Sequence, residues 1–269
     1  MLARFLAPTL LFASALAAQN GGPAALSLEE KENFLKSAKL VEMKELSMGV
    51  TNSKRAVLDD GKLRHDAHIQ SIMIAKAEFE GTRGKEINFR DSYKFNMAAY
   101  ELDKLLELHM IPPSVERKVA GSSAAVTWWL DDMLMMEVDR VKKKLNAPDN
   151  DQWNRQMNIV RVFDQLIYNT DRNLQNLLIT NDWKLIMIDH TRAFRMYKTL
   201  LSPGNLKSCD RKLLTRLRNL DKEEVKRRLK PWLTSMEIDG LLARRDVIVK
   251  FFDAEIAKKG EAAVLYEWL

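Results

Sequence analysis

The segment from Phe163 to Phe194 constrains the fold of this 269-residue chain more than any other. Apolar residues at helical spacing lead into the polar run Asn169-Thr170-Asp171, and two short apolar runs follow, one on each side of Asn181-Asp182. The first pattern predicts a helix that ends near Asn169, and the second predicts a β-hairpin with its turn at Asn181-Asp182. A helix, a polar loop and a hairpin are therefore expected in immediate succession.

Three side chains with oxygen atoms stand at the borders of these elements: Asp171, Asn176 and Asp189. A hairpin centred on Asn181-Asp182 places Asn176 opposite Met187, with Asp189 roughly two residues, or ~7 Å, beyond that pair. Oxygen ligands this close suit Mg²⁺ or Mn²⁺ carrying phosphates, and Asp171 can accept a proton from an attacking hydroxyl. Each residue taken singly also fits a turn or cap, because Asp and Asn hydrogen-bond their own backbone.

The motifs Asp171-Arg172-Asn173-Leu174-Gln175-Asn176 and Ile188-Asp189-His190 resemble the D-R-H-x-x-N and I-D-[FH] pair of atypical kinases. The resemblance is greatest to the secretory-pathway Golgi casein kinase (FAM20-like) group, and more distant to HipA-like and phosphoinositide kinases. Residues 97–106 (MAAYELDKLL) and 110–115 (MIPPSV) are similar to a helix and a V-P-P segment of the secretory group. The resemblance implies that Asp171 is the catalytic aspartate and that Asn176 and Asp189 bind the metal. Asn173 replaces the usual His, so the support of the catalytic loop is an open question.

The resemblance spans about residues 48–194 and implies an α+β, two-lobed protein-kinase-like fold, with a small mixed α/β lobe and a mainly helical large lobe. We expect one kinase-like domain over residues 19–269, its small lobe at about 40–130 and its large lobe at about 131–269. A chain of 269 residues with 46% hydrophobic content can supply the core of such a domain. The implied cofactor is ATP with Mg²⁺ or Mn²⁺.

Two segments are candidates for contact with the nucleotide. The polar loop Gly49-Val50-Thr51-Asn52-Ser53 precedes a predicted strand from Lys54 to Leu58, and Gly49, Thr51, Asn52 and Ser53 are the expected phosphate-side residues. With one glycine the loop fits an ordinary strand connection equally well. Trp129, beside the methionines at 133, 135 and 136, is the expected neighbour of the adenine, and a plain core role is the alternative.

Amides stand where the kinase pattern has a lysine and a glutamate. The strand that ends in Ala67-His68-Ile69-Gln70 has Gln70 at the lysine position of V-A-I-K, and Asn96 matches the glutamate of the next helix. A change of both residues leaves a neutral pair that can hydrogen-bond, whereas a change of the lysine alone would strand a carboxylate. Gln70 and Asn96 are therefore expected to face each other. Either transfer is inefficient, or another cation such as Lys62 or Lys76 takes over, or the register is shifted by a residue or more.

The amino-terminal residues predict export. Residues 1–18 combine one positive charge at Arg4, a short apolar run and small residues at Ala15 and Ala17, which is typical of a signal peptide. The run is too short for a comfortable bilayer span, so no stable membrane span is expected after cleavage, and an uncleaved anchor is the alternative. The expected location is a periplasm, a secretory lumen or the extracellular space. Cys209 is the single cysteine, so no intramolecular disulfide can form.

The carboxyl-terminal third predicts helices with a basic face. Leucines at helical spacing run through Lys207 to Lys230, and N-cap pairs start helices at Asp221 and Thr234, the second continuing to near Lys259. Ser27 does the same for an opening helix to about Leu40. The basic face is either solvated or a docking surface for an acidic protein or a polyanionic saccharide, and no nucleic acid is expected because interleaved aromatic residues are missing. The four histidines lack the spacing of a zinc site, and each is expected to be structural.

These patterns predict an exported atypical kinase that transfers the ATP γ-phosphate to a hydroxyl of a protein or saccharide substrate. The alternative is a catalytically weak kinase-like module that binds nucleotide or a partner protein.

Overall fold

The computed structural model describes residues 26–46, 53–81 and 84–269. The predicted signal peptide at residues 1–18, and the phosphate-side candidates Gly49, Thr51 and Asn52, lie outside the described residues. No helix within the described ranges is both long and apolar enough to cross a bilayer.

The described residues form helices and strands in a mixed order. The helices are α1 Leu28–Ser37, α2 Tyr93–Leu105, α3 Glu137–Lys142, α4 Asn150–Ile167, α5 Arg211–Asn219, α6 Lys222–Leu229, α7 Ser235–Lys259 and α8 Glu261–Val264. The strands are β1 Lys39–Glu45, β2 Lys54–Asp59, β3 Arg64–Gln70, β4 Met73–Gly81, β5 Gly84–Ser92, β6 Ser114–Val119, β7 Ser122–Trp128, β8 Met133–Met136, β9 Leu177–Thr180, β10 Leu185–Met187, β11 Cys209–Asp210 and β12 Leu265–Tyr266. Short 3-10 turns cover Leu174–Asn176 and Pro203–Asn205.

An antiparallel sheet of five strands, in the order β1-β2-β3-β7-β6, forms the amino-terminal part. Helix α1 covers one face, where Phe34 and Leu35 share a core with Ile69 and other inward residues of the sheet. Successive side chains of a strand point to opposite faces, so His68 and Gln70 of β3 point away from α1. They face the side on which α2 packs through Tyr93 and other apolar residues.

The carboxyl-terminal part is mainly helical, as predicted, around a three-stranded sheet in the order β10-β9-β8. Its core joins Phe163 of α4, Phe194 of the loop after β10 and Phe252 of α7. The predicted helix starts are confirmed: Asp221 accepts from the Glu224 N–H, and a capping box is present at Thr234 as well as at Ser27.

Two details of the sequence interpretation are wrong. The opening helix ends at Ser37, not near Leu40, and strand β1 begins at Lys39. Lys and Glu have low strand propensity, but Leu40 and Met43 pack against the sheet core, and tertiary pairing with β2 overrides the local preference. In the β9–β10 hairpin Met187 pairs with Leu177, so Asn176 lies opposite Ile188 instead of Met187.

The β4–β5 hairpin was not predicted from the sequence. Strands β4 and β5 pair with each other between β3 and α2. Arg195 forms an ion pair with Glu86 of β5, and Arg90 of β5 forms one with Glu237 of α7. The backbone N–H of Ser92 also donates to the Thr191 carbonyl at 2.9 Å. The hairpin is thereby fixed to the loop that follows Asp189.

Candidate active site

A buried ion pair supports the loop that carries Asp171. Helix α4 ends at Ile167, and its C-cap residue Tyr168 lies in the left-handed region with a φ of 52°. Asp164, near the end of that helix, accepts from the guanidinium Nε of Arg172 at 3.0 Å and from the Asn169 amide at 3.0 Å. Arg172 Nη1 then donates to the carbonyls of Asn176 and Ile188, both at 2.9 Å. One arginine therefore joins the helix to the two residues that flank the β9–β10 hairpin, and it supports the loop without a histidine at Asn173.

Asp171 stands in this loop with its side chain about half exposed, at 49%. Its backbone N–H donates to the Asn169 amide oxygen at 3.1 Å, and its carbonyl accepts from the Asn176 amide nitrogen at 3.4 Å. The backbone is therefore fixed while the carboxylate remains accessible. A carboxylate in this position can accept a proton from a bound hydroxyl.

Asn176 and Asp189 flank the open end of the β9–β10 hairpin. The Ile188 N–H donates to the Asn176 carbonyl at 3.1 Å, so Asp189 follows directly on the pairing of the strands. Asp189 has a φ of 51°, and its Oδ1 accepts from the Thr191 hydroxyl at 3.0 Å. Asn176 uses its amide nitrogen toward Asp171, which turns its amide oxygen away from that carbonyl.

This donor set fits a hard divalent cation. The oxygens of one amide and one carboxylate suit Mg²⁺ or Mn²⁺, which also take water and phosphate oxygens as ligands. No cluster of three or more His, Cys, Asp or Glu side chains able to hold a metal exists in the described ranges. The arrangement therefore fits a cation that arrives with phosphates better than an all-protein metal cage.

Asn96 joins the two lobes beneath the site. Its amide nitrogen donates to the Gln70 amide oxygen, as predicted, and its own amide oxygen accepts from the His190 N–H at 2.7 Å. The second bond was not foreseen, because it depends on how the lobes meet. Gln70 and His190 are both about 1% exposed. Burial, reinforced by the charge of Arg172, lowers the pKa of His190 well below its ordinary value, so this imidazole is neutral at pH 7.

Arg192 is a cation that the sequence interpretation missed. Its Nε donates to Asp91 of β5 at 3.0 Å, and its Nη1 lies 3.8 Å from Asp171 Oδ2. Burial lowers the pKa of Arg192, but the hydrogen bond to Asp91 and the charges of Asp171 and Asp189 outweigh it, and the net shift is upward. The guanidinium thus sits in the field of three carboxylates.

Ser53 and Trp129, two of the residues predicted to contact the nucleotide, lie within the described residues. Ser53 accepts at its carbonyl from the Leu46 N–H at 3.0 Å, which closes the β1–β2 connection. Trp129 is partly buried, and the Arg55 guanidinium lies over its ring, 4.4 Å from the centroid.

His68 points to the same face as Gln70. Burial lowers the pKa of His68, and the charge of Asp189 opposes that shift. His68 therefore lies within electrostatic range of Asp189, a placement that its spacing from the other histidines did not reveal.

Comparison with solved structures identifies the fold. A Fam20 protein of hydra, solved with a sugar, matches with a TM-score of 0.68 at 14% identity over 89% of this chain and 92% of that one. The Golgi casein kinase with Mn and ADP bound matches with a TM-score of 0.64 at 13% identity, over 90% and 80% of the two chains. This chain has the Fam20-type kinase fold.

The Fam20-type fold includes the features foreseen from the motifs, an antiparallel amino-terminal sheet and a helical carboxyl-terminal part. Another structure of the Golgi casein kinase gives a TM-score of 0.61 at 13% identity, over 89% and 78% of the two chains. No protein-family model and no curated protein sequence matches this chain significantly. At these identities the similarity establishes the fold alone, so activity must be argued from the site.

Proposed function

We propose that this protein is an atypical kinase that transfers the ATP γ-phosphate to a hydroxyl of a protein or saccharide, with Mg²⁺ or Mn²⁺ as cofactor. The observation that supports it is the placement of Asp171, Asn176 and Asp189 at one end of the β9–β10 hairpin, fixed there by Arg172. The signal-peptide pattern of residues 1–18 supports action after export, in a periplasm, a secretory lumen or the extracellular space.

Each site residue has a distinct part in this reaction. The acceptor oxygen bonds to the γ-phosphorus, the bond from that phosphorus to the bridging oxygen of ADP breaks, and the hydroxyl proton passes to the Asp171 carboxylate. Asn176 and Asp189 would hold the divalent cation, which neutralises phosphate charge when bound. The backbone N–H of His190, the residue after Asp189, holds Asn96 beside this site.

A second candidate function is a nucleotide- or partner-binding module with little transfer. The hydrogen bond between Gln70 and Asn96 favours it, because this neutral pair occupies the place of the lysine and glutamate of the kinase pattern. Both candidates require nucleotide binding, and they differ in whether phosphate leaves ATP.

Thermal unfolding with ATP or ADP, with and without Mg²⁺ or Mn²⁺, tests the shared requirement. A nucleotide at ~100 times its dissociation constant should stabilise the protein by ~2.7 kcal/mol. We expect Asp189→Ala to abolish the metal-dependent part of this shift. Asp182→Ala is the matched control, since Asp182 lies in the turn at the other end of the same hairpin, paired with Lys184. Equal Mg·ATP binding by Asp189→Ala and the parent would show that the metal-ligand assignment is wrong.

Phosphate transfer separates the two candidates. Asp171→Asn should abolish transfer and leave nucleotide affinity nearly unchanged, because the carboxylate acts on the acceptor proton and not on the bound phosphates. Turnover of γ-labelled ATP by the parent and by Asp171→Asn is the measurement. A parent that binds Mg·ATP but shows no turnover would favour the binding module. Equal turnover by the two proteins would remove Asp171 from the mechanism.

A further inference from the structure

The fold leaves open which cation serves the transferring phosphoryl group. Gln70 is neutral, and it is hydrogen-bonded to a second neutral side chain. Lys62 precedes the start of β3, and Gln70 ends it, so the two are separated by more than six strand residues, or roughly 20 Å. Lys76 is exposed on β4, with its ammonium 5.4 Å from the ring centroid of Phe79. Lys62 therefore lies far from the end of β3, and Lys76 lies on the surface of the β4–β5 hairpin.

Arg192, in contrast to these two lysines, lies beside Asp171. The acceptor hydroxyl must lie at Asp171 and the nucleotide metal at Asp189, so the transferring phosphoryl group has to lie between these two carboxylates. Arg192 Nη1 is 3.8 Å from Asp171 Oδ2, and the guanidinium also feels the charge of Asp189. Its side chain is 30% exposed, so a ligand in the site can reach it.

The position of Arg192 is fixed on three sides. The Asp91 carboxylate, 2% exposed, accepts from its Nε at 3.0 Å. The guanidinium carbon lies over the rings of Phe79 and Phe89, 5.7 and 5.4 Å from their centroids. The Arg192 carbonyl accepts from both the N–H and the hydroxyl of Thr170, at 3.2 and 2.8 Å. Both the backbone and the side chain are therefore tied to the catalytic loop.

The geometry leaves donors for a phosphate. A separation of 3.8 Å is longer than a hydrogen bond, so Nη1 can donate to a phosphate oxygen beside Asp171 while Nε keeps its bond to Asp91. Three carboxylates surround one guanidinium here, and a divalent cation at Asp189 would offset part of the excess negative charge. A planar fork of donors is well suited to two oxygens of one phosphoryl group.

We propose that Arg192 supplies to the transferring phosphoryl group the positive charge that the Gln70–Asn96 pair does not, with Asp91 as its positioning residue. This inference rests on the proposed kinase function. Arg192 contacts the reacting group and is a catalytic residue in that sense. Asp91 belongs to the β4–β5 hairpin, so this hairpin orients the Arg192 guanidinium.

The test uses the full chain and the variants Arg192→Gln, Arg192→Lys and Asp91→Asn. Arg90→Gln is the matched control, because Arg90 also ties β5 to the helical part, through Glu237, without contact to Asp171. Kinetic measurements should show kcat reduced by about 100-fold or more in Arg192→Gln, as for loss of one preorganised donor, with KM for ATP within a few-fold of the parent. Arg192→Lys should lie between them, and Arg90→Gln should match the parent.

A binding measurement gives a readout that does not depend on turnover. ADP with aluminium fluoride and Mg²⁺ mimics the phosphoryl group in transfer, whereas ADP with Mg²⁺ lacks it. Arg192→Gln should weaken binding of the aluminium fluoride complex at least 10-fold and leave ADP binding unchanged. Added guanidinium at millimolar concentration should partly restore kcat to Arg192→Ala.

The outcomes separate this inference from the proposed function. A parent that binds neither ATP nor ADP overturns both. A parent that transfers phosphate while Arg192→Gln and Arg192→Lys keep its kcat and its affinity for the aluminium fluoride complex overturns the role of Arg192 alone. If Arg192→Gln does not fold, Asp91→Asn decides: unchanged kcat and unchanged aluminium fluoride binding in that variant and in Arg192→Lys would refute the inference.

Discussion

Replacement of Arg172 tests how the catalytic loop is held. Arg172 is 13% exposed and Asp164 11% exposed at their side chains, and the two form a buried ion pair. The same guanidinium donates to the carbonyl of Asn176 and to the carbonyl of Ile188, the residue before Asp189. Arg172→Met keeps much of the apolar stem and removes every one of these donors.

The expected loss of stability follows from these contacts. Removal of one partner from a buried ion pair costs about 3–5 kcal/mol, because the other charge remains in a place of low polarity. Asp164 keeps its bond from the Asn169 amide, which favours the lower end of that range. A domain of ordinary stability, about 5–15 kcal/mol, survives this loss. Asp164→Asn in the Arg172→Met background should recover a large part of it, since no unpaired carboxylate remains.

The assay combines urea unfolding with Mg·ATP titration of the parent, both single variants and the double variant. We expect the double variant to regain stability but not metal-dependent binding, because the carbonyls of Asn176 and Ile188 still lack their common donor. Arg245→Gln is the control: Arg245 is a buried arginine that donates to the Leu220 carbonyl at 2.8 Å, between helices α7 and α5. It should lower stability and leave binding intact. Normal Mg·ATP affinity in Arg172→Met would refute the idea that this arginine builds the site.

Two further predictions concern the lobe contact and the pH dependence of folding. Gln70→Lys with Asn96→Glu should raise ATP turnover more than either single change, since each single change leaves a charge without its partner; additive effects in the four-protein comparison would show that the two positions are not coupled. Burial raises the pKa of the Asp103 carboxyl from 3.8 to about 7, against the opposing hydrogen bond from the Met110 N–H. The folded state therefore keeps a proton that the unfolded state releases, and its contribution to stability falls by ~1.4 kcal/mol for each pH unit from about pH 4 to pH 7. In urea unfolding at several pH values Asp103→Asn should lack this decline and the exposed Asp239→Asn should keep it, whereas parallel curves for the parent and Asp103→Asn would contradict the pKa shift.

Local patterns explain why much of the site was foreseen. The helix, loop and hairpin around Asp171 form because apolar periodicity and turn residues act over a few positions. The contact between Gln70 and Asn96 was predicted from chemistry. A change of the lysine alone would leave the glutamate without a partner, whereas a change of both residues leaves two amides that can hydrogen-bond. The one-residue error at Asn176 has a physical cause. The connection between β9 and β10 spans four residues, 181–184, and a sequence with Asn-Asp at its start does not specify that length.

Contacts between distant segments explain the residues that were missed. Arg192 pairs with Asp91 of the β4–β5 hairpin. The strands of this hairpin mix charged and apolar residues without clear alternation, so neither the hairpin nor the Arg192–Asp91 ion pair could be predicted from the sequence. The position of Asp164 among the apolar residues of a predicted helix could have indicated a buried carboxylate with a partner, because a buried carboxylate needs one. The identity of that partner depends on the loop that folds back over the helix.

The sequence by itself determined the order of elements, the helix caps and the types of side chain available for phosphate chemistry, because these depend on near neighbours along the chain. Tertiary structure decided which charges meet. Arg172 with Asp164, Arg192 with Asp91 and Asn96 with His190 are joined only when the helix, the hairpins and the sheet pack together. Electrostatic and hydrogen-bond energies depend on distances of a few ångströms, and the sequence does not encode those distances locally.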